Sequence, residues 1–347
     1  MRRFPYLPLP MKDYRLIGIE LSPYTIKLRA IMRYRRIPHI WICRFPQFFA
    51  ETQDLRPGLM PTVQYPEGTY HTDSTVICED LENRHPSARS VYPDNSVMKF
   101  LALLIEDFSD EWLSKMIFHY RFSYSRDRVF GPRWVMDDTY IGLSENELDV
   151  HFERFLERQT KRMELVGCTP KNAKLLEKGF EEMVCLMESF VANERFLFGS
   201  RPSIADFSLY AQLGILLQDI TPGNIMRKEA PRTISWLMRA GDLSGIEGDW
   251  ELKDEPSPVL KGLFAMIGKV YLPYLNANTT AIRNDCPNFS TRLDGCDYEQ
   301  PAFKYHNKCR DALISKYQEL NPAERKRLRS FLGDSGCLEA LGRLDQL

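Results

Sequence analysis

The sequence has no long hydrophobic run and almost no net charge, and both absences narrow the range of partners. No stretch approaches the roughly 18 consecutive apolar residues expected of a transmembrane helix. The 46 lysine and arginine residues are balanced by 47 aspartate and glutamate residues, which gives a formal charge of -1. Because no field of one sign attracts nucleic acid or an anionic membrane, we expect neither as a partner.

The chain also has few features of a secreted protein. The opening segment MRRFPYLPLPMKDY contains three prolines and lacks the apolar core of a signal peptide. The eight cysteines in 347 residues include no Cys-x-x-Cys pair and do not form the dense framework of a small disulfide-rich domain. We therefore expect a cytoplasmic protein whose cysteines are mostly small buried apolar residues.

Apolar residues make up 44% of the chain, and its length fits about two domains of roughly 150 residues each. In the first part, residue patterns predict a strand, a helix that begins at Ser22-Pro23, a second strand, a hairpin and another helix. Their predicted bounds are 15–19, 22–36, 39–45, 62–65 with 69–72, and 75–83. Residues 46–58 are expected to be irregular. The order is therefore βαβ followed by ββα.

From about Val97 onward the pattern changes to helices, and we expect no further strand. The predicted helices lie at 97–119, 145–166, 171–193, 203–218, 231–240, 259–275, 302–320 and 322–332. Residues 121–142 are expected to form an ordered loop or a broken helix. The acidic, turn-rich residues 241–258 are expected to form a connector.

Four motifs accompany this order of elements. Ser22-Pro23-Tyr24-Thr25 lies at the turn into the first helix, and Met60-Pro61 precedes the hairpin. Asp73-Ser74 opens the next helix, and Ser203 with Asp206 forms a predicted capping box in the second half. Together with the element order, these motifs resemble the glutathione transferase (glutathione S-transferase) superfamily.

The resemblance implies an α/β thioredoxin-like glutathione-binding domain followed by an all-α helical domain, with a helical C-terminal extension. On this basis we expect an N-terminal arm at 1–13, the thioredoxin-like domain at 14–90, the helical domain at 97–245 and the extension at 246–347. The extension is expected to pack on or cover the helical domain. The family also implies a homodimer.

The resemblance places the glutathione site on these motifs. Pro61 would be cis, which exposes the backbone of Met60 to pair with the cysteinyl part of glutathione. Asp73 would hold the γ-glutamyl ammonium, and Ser74 at the helix N-terminus would bind the γ-glutamyl carboxylate. Leu59 stands where the family often has lysine, so one contact to a glutathione carboxylate is missing. Taken alone, Asp73 and Ser74 could equally be plain helix caps.

Glutathione would act as co-substrate, and its thiol needs activation because a cysteine-type thiol has a pKa of about 8.5. Ser22, at the N-terminus of the first helix, is the candidate catalytic donor to the sulfur, unless it is only a helix cap. Tyr24 and Thr25 are weaker candidates for the same contact. The resemblance implies a serine-type, bacterial-like transferase that attacks a small, apolar electrophile.

Two segments could contact the second substrate. Residues 271–278 in the extension mix aromatic and amide side chains, as a pocket lid would. Aromatic residues of the long helix and the stretch after it could line a pocket, although plain core is commoner for this spacing. These residues are Phe108, Trp112, His119, Tyr120, Phe122 and Tyr124, with Arg121 or Arg126 available for an acidic group.

Three other functions compete with this hypothesis. A non-catalytic binding or assembly module of the same fold fits the missing lysine and the long extension. A disulfide reductase would need Cys43 or Cys78, because the Ser-Pro-Tyr-Thr turn holds no thiol. A zinc site is disfavoured by poor ligand spacing, and we expect no metal. Its ligands would be Cys286, Cys296, His306 and Cys309.

Overall fold

The computed structural model describes residues 13–55 and 59–346. Residues 1–12 of the predicted N-terminal arm lie outside the described residues. So does Arg56-Pro57-Gly58, at the end of the stretch expected to be irregular.

A four-stranded mixed sheet forms the N-terminal part of the protein. Its strands are β1 (Tyr14–Gly18), β2 (His39–Cys43), β3 (Thr62–Gln64) and β4 (Tyr70–Thr72). The order is β2-β1-β3-β4, with β1 and β2 parallel and the other neighbours antiparallel. Both faces of β1 are covered, since Leu16 and Ile17 belong to two separate apolar clusters and neither is more than 1% exposed.

Three helices accompany the sheet: α1 (Pro23–Tyr34), α2 (Pro46–Thr52) and α3 (Ser74–Arg84). The predicted βαβ and ββα order is thereby confirmed. The expectation of an irregular stretch after β2 was wrong for α2, which begins with Pro46 at its first position and has no side-chain cap. This helix has only seven residues and buries Phe48 against Ile17, so packing rather than local sequence stabilises it.

The remainder of the described chain is mostly helical. Its helices are α4 (Ser96–Phe108), α5 (Ser114–Ser123), α6 (Asp127–Thr139), α7 (Glu145–Leu165), α8 (Ala173–Asn193), α9 (Ile204–Gln218), α10 (Ile220–Glu229), α11 (Pro231–Ala240), α12 (Pro258–Met266), α13 (Leu272–Arg283), α14 (Lys304–Gln318), α15 (Pro322–Leu332) and α16 (Cys337–Gln346). Helix α9 is apolar on nearly all sides and lies at the centre of the core. None of the described helices has the length and apolar character needed to cross a bilayer.

The predicted long helix from Val97 is continuous but not uniform. A π-helical turn, Ser109–Leu113, joins α4 to α5, so the helix runs on to Ser123. The predicted capping box is confirmed at α9, where Asp206 Oδ2 accepts from the Ser203 backbone N–H at 2.8 Å. A π-turn changes which side chains face inward, and π-turns are frequent at functional sites.

Residues 121–142 are not the ordered loop or broken helix that we expected. They form the end of α5 and the regular helix α6, which contains Gly131 and Pro132. A Cβ atom at Gly131 would lie 2.8 Å from Arg121 Nε and 2.9 Å from Asp219 Oδ1. The glycine therefore permits close packing of α6 on a buried ion pair, in which Arg121 and Asp219 are 2.9 Å apart.

The expectation of no strand after residue 97 was wrong, and the extension is not purely helical. Strands β5 (Asn288–Leu293) and β6 (Cys296–Pro301) form an antiparallel hairpin. Asp294 and Gly295 connect them, both with positive φ, of 45° and 78°. The Asp-Gly pair is the preferred sequence for this type of turn, so the signal was present in the sequence.

The C-terminal extension is built into the helical core. Tyr271 donates to Asp107 Oδ2 at 2.5 Å, and the Tyr274 ring packs 5.4 Å from that of Trp112. Cys337 Sγ donates to the Phe264 carbonyl at 3.1 Å. Tyr271 and Tyr274 are both 0% exposed. The hypothesis that 271–278 forms a pocket lid was therefore wrong, because this segment is an interior helix.

Candidate functional site

The register of the sheet brings three of the predicted motifs to one edge. Thr62 in β3 pairs with Ile17 near the end of β1 and with Thr72 at the end of β4. Pro61 directly precedes Thr62, and Asp73 directly follows Thr72. The turn from β1 into α1 leaves the sheet at the same edge. The motifs at residues 22, 60–61 and 73–74 therefore lie together.

Ser22 is the N-cap of α1, and its hydroxyl is less deeply buried than that of Thr25, which is 0% exposed. Its Oγ accepts from the Thr25 backbone N–H at 3.3 Å. Among the described residues nothing accepts the hydroxyl hydrogen of Ser22, and the residue is 7% exposed. A free O–H donor at the positive end of a helix is suited to an anion such as a thiolate.

Tyr24 and Thr25 are turned away from the edge. The Tyr24 hydroxyl donates to the Asp110 carbonyl at 3.0 Å. Burial, Glu111 and Asp110 raise the pKa of Tyr24 well above its usual value. Thr25 is fully buried against Gly18, where an added Cβ atom would lie 2.5 Å from the Thr25 side chain. Of the three hydroxyls in this turn, that of Ser22 is best placed for a ligand.

The Met60-Pro61 peptide bond is cis, as the resemblance implied. Pro61 is buried and Met60 is partly exposed. Thr62 Oγ1 donates to the Leu59 carbonyl at 3.1 Å and holds this turn in place. The Leu59 side chain is 46% exposed and brings no charge to the site.

Asp73 and Ser74 form the N-terminus of α3. Asp73 is the N-cap, with φ of 78°, and its Oδ1 accepts from the Thr75 backbone N–H at 3.2 Å. In the described part of the chain no cation pairs with Asp73. Ser74 is 5% exposed. The pair thus presents a carboxylate and a hydroxyl beside the backbone donors of a helix N-terminus.

A buried charge cluster, formed by Lys27, Glu106 and Asp110, lies behind this edge. Lys27 belongs to α1 and is 0% exposed despite its charge. Lys27 Nζ lies 2.7 Å from Glu106 Oε1 and also contacts Asp110 Oδ2. Burial alone would lower the pKa of Lys27, but Asp110 and Glu106 outweigh it and raise that pKa well above its usual value.

This charge cluster also fixes α3. Thr75 Oγ1 donates to Glu106 Oε1 at 2.9 Å. Asp110 accepts from Ser208 Oγ, so the π-turn is bound to α9 as well. The cluster therefore joins α1, α3 and α9 to the long helix and sets the geometry of the edge. An isolated lysine on a helix gives no sequence signal for such a role.

A second polar chain connects the π-turn to the extension. His306 is 4% exposed, with Nε2 2.8 Å from Glu111 Oε2 and Nδ1 2.5 Å from the Tyr274 hydroxyl. Burial first, and then Lys115, lower the pKa of His306 well below its usual value, so the ring is neutral. Burial first, and then Asp110, raise the pKa of Glu111 to about 8.

The zinc hypothesis gains no support from this arrangement. Both ring nitrogens of His306 are engaged, with Glu111 and with Tyr274. Within residues 13–55 and 59–346, no three His, Cys, Asp or Glu side chains are grouped as metal ligands. The thiols needed by a reductase are also unsuited, because burial raises the pKa of Cys43 and of Cys78 to about 12.

The aromatic residues considered for a second-substrate pocket are mainly core. Phe108, Trp112, Tyr120 and Phe122 are each at most 5% exposed. Of the polar residues in that group, His119 contacts Glu177 Oε1 at 2.8 Å, and Arg121 is paired with Asp219. The structure therefore favours the packing interpretation of this segment.

Comparison with known proteins gives a family match for the N-terminal part of the chain. Residues 21–84 match the family model of the glutathione S-transferase N-terminal domain, a span that contains the Ser22, Met60-Pro61 and Asp73-Ser74 motifs. These residues therefore form a glutathione S-transferase N-terminal domain. No curated protein matches its sequence at a significant level.

Several solved structures are similar to this chain. One, from Rhodospirillum rubrum, is 16% identical, with 72% of this chain and 91% of that chain covered and a TM-score of 0.42. The beta-etherase LigF from Sphingobium sp. is 19% identical, with 73% and 98% covered and a TM-score of 0.46. A transferase from Methylobacterium radiotolerans, in complex with glutathione sulfonate, is 17% identical, with 70% and 99% covered and a TM-score of 0.42.

Proposed function

We propose that the protein is a glutathione transferase that binds glutathione at the sheet edge and activates its thiol with Ser22. One observation carries this proposal: a hydroxyl donor, a cis peptide bond and a helix N-terminus whose capping carboxylate has no cation partner among the described residues converge at one edge. Their order along the edge suits an extended γ-glutamyl-cysteinyl peptide. The second substrate is a small, apolar electrophile.

Each group has a distinct task in this proposal. The backbone of Met60 pairs with the cysteinyl unit, and buried Pro61 holds that backbone open. Asp73 accepts from the γ-glutamyl ammonium. Ser74 and the first N–H groups of α3 bind the γ-glutamyl carboxylate, because a helix N-terminus stabilises an anion.

Ser22 acts on the sulfur. Its hydroxyl donates to the thiolate, and the positive end of α1 adds to the stabilisation. Lowering the pKa of the thiol by one unit requires about 1.4 kcal/mol, which one hydrogen bond to a charged atom supplies. The thiolate then attacks an electrophilic carbon. In a substitution the leaving group departs with its bonding electrons, and in an addition to a double bond the neighbouring atom receives the electron pair and takes up a proton.

The rival function is a glutathione-binding module without turnover. The exposed, uncharged Leu59 favours it, because a contact to a glutathione carboxylate is lost there. A cytoplasmic homodimer remains our prediction from the family. Light scattering during size-exclusion chromatography tests the dimer.

Titration calorimetry with glutathione tests the proposed function. We expect micromolar-to-millimolar binding by the wild type, loss of binding in Asp73→Ala, and nearly unchanged binding in Ser22→Ala. The absorbance of bound thiolate against pH should show a thiol pKa about one unit higher in Ser22→Ala than in the wild type.

A matched control distinguishes the action of Ser22 on the thiol from the general effect of removing a helix-capping serine. Ser144→Ala removes the N-cap serine of α7, far along the chain, and should leave both binding and thiol pKa unchanged. No detectable heat at millimolar glutathione, with an unchanged melting temperature, would refute the transferase proposal. Binding without a lowered thiol pKa or turnover would favour the module.

A further inference from the structure

Helix α6 presents an apolar stripe to solvent. Val129 and Phe130 are 58% and 41% exposed, and the half-buried Trp134 places its ring 6.0 Å from that of Phe130. Gly131 and Pro132 lie on the other side of the helix and are buried. Single exposed apolar residues are common on protein surfaces, but a contiguous exposed patch indicates an interaction surface.

An arginine and an aspartate border this stripe, one at each end. Arg126 precedes Val129 by three positions, so it lies on the same face of the helix. Asp137 follows Trp134 by three positions and shares that face as well. Both charged side chains are exposed, and they line one surface groove together with the apolar stripe. Among residues 13–55 and 59–346 neither has an ion-pair partner, so the stripe ends in one available charge of each sign.

The residues of this face are arranged symmetrically about a point midway between positions 131 and 132. Arg126 and Asp137 are equally distant from that point, and so are Val129 and Trp134. When two copies of α6 pack antiparallel across a twofold axis at this point, Arg126 lies opposite Asp137 of the partner subunit. Val129 then lies opposite Trp134 of the partner subunit. Each contact forms twice, as in any twofold interface.

A second copy of the chain fits this face better than a partner of one charge. An acidic partner would be attracted by Arg126 and repelled by Asp137, which lies about 16 Å further along the helix axis, and a basic partner would meet the reverse. An antiparallel copy brings the opposite charge to both ends and covers the apolar centre. Because one helix of 13 residues offers less than the ~800 Å² per partner of a standard interface, we expect a dissociation constant in the micromolar range.

We propose that α6 is a self-association surface, on which two copies of the chain pack antiparallel and pair Arg126 with Asp137 of the partner subunit. The apolar stripe of Val129, Phe130 and Trp134 forms the centre of the contact, and the two ion pairs flank it. The charges fix the orientation, because a parallel pair of helices would set like charges against each other. No residue of the proposed glutathione site lies on this face, so the inference does not depend on the proposed function.

Sedimentation equilibrium of the wild type and of two charge-reversal variants tests the pairing. Arg126→Asp and Asp137→Arg each bring like charges together at both ends of the contact, and we expect each to raise the dissociation constant of self-association at least about tenfold. In an equimolar mixture the two variants carry opposite charges at the facing positions. They should therefore form a heterodimer of near wild-type affinity, which native mass spectrometry distinguishes from both homodimers.

The matched control is Arg329→Asp on α15. Arg329 is exposed and has no ion-pair partner in the part of the chain that the structure describes. Its reversal changes the net charge of the protein by the same amount as Arg126→Asp, and we expect self-association equal to that of the wild type. Melting temperatures confirm that each variant is folded.

Three outcomes would overturn the proposal. One is a wild type that remains monomeric at about 100 μM, well above a micromolar dissociation constant. Another is unchanged self-association in both reversal variants, which would place the contact on a different surface. The third is a loss in both variants with no heterodimer in their mixture, which would exclude the antiparallel pairing of Arg126 and Asp137.

Discussion

The buried charge cluster of Lys27, Glu106 and Asp110 leads to a stability prediction that the structure makes quantitative. Lys27→Met preserves most of the side-chain volume but removes the only cation of the cluster among the described residues. The two carboxylates are then left together with side-chain exposures of 5% and 6%. Two carboxylates at such a buried site cannot both stay ionised, so one of them must take up a proton.

The free energy needed to protonate one of the carboxylates sets the size of the expected stability loss. Glu106 already has a raised pKa, from burial first and against the opposing effect of Lys27, and its usual value is 4.5. Protonating a carboxyl at pH 7.5 costs ~1.4 kcal/mol for each unit above that value, or ~4 kcal/mol. The same step costs ~1.4 kcal/mol at pH 5.5, so the loss should shrink as the pH falls. The larger figure agrees with the ~3–5 kcal/mol typical of a broken buried ion pair.

Urea unfolding of the wild type and of Lys27→Met at pH 7.5 and pH 5.5 measures the stability loss at each pH. Lys161→Met is the matched control, because its partner Glu157 is an exposed neighbour on α7, with side-chain exposures of 74% and 66%, and we expect no measurable change. Adding Glu106→Gln to Lys27→Met should recover part of the loss, since it removes one of the two charges. A loss of equal size at the two pH values would refute the reasoning.

Three further predictions concern single groups. Asp206→Asn replaces two carboxylate oxygens by one carbonyl oxygen, so the buried backbone N–H of Ser203 or of Leu197 loses its acceptor. Urea unfolding should show a loss of stability of about 2 kcal/mol. An unchanged stability would contradict the role of the capping box of Ser203 and Asp206. Because Glu111 has a folded pKa of about 8 against a usual 4.5, stability should fall as pH rises between these values. Glu111→Gln should make the fall of the unfolding free energy with pH shallower by up to ~1.4 kcal/mol per pH unit. If urea unfolding gives the same slope for the variant and the wild type, Glu111 is not the cause of the fall. Iodoacetamide with mass spectrometry should label exposed Cys185 rapidly in the native protein, and Cys78, whose pKa burial raises to about 12, only after unfolding.

Features set by local sequence could be predicted before the structure. The cap at Asp73 and the capping box of Ser203 and Asp206 depend on residues only a few positions apart. The cis bond at Pro61 followed from a motif match rather than from physics, and it too is confirmed. The site was therefore predictable where it consists of helix ends and turns.

Features set by distant contacts could not be predicted. Lys27 and Glu106 are 79 positions apart, and only the docking of α1 on α4 turns a charged residue into an interior one. Tyr271 and Asp107 are 164 positions apart, so nothing local shows that the extension joins the helical core. The hairpin at Asp294-Gly295 is a different case, because its Asp-Gly turn can be recognised in the sequence. The helical pattern on either side led us to expect no strand there.

The burial of the C-terminal extension affects folding during synthesis on the ribosome. A ribosome releases the chain from its N-terminus, and earlier segments generally fold first. Trp112, in the middle of the long helix, packs on Tyr274, and Phe264 receives a hydrogen bond from Cys337. The helical core therefore stays incomplete until Cys337 has left the ribosome. The apolar surface around Trp112 stays exposed while the residues up to Tyr274 are synthesised, and chaperones would be needed most in this period.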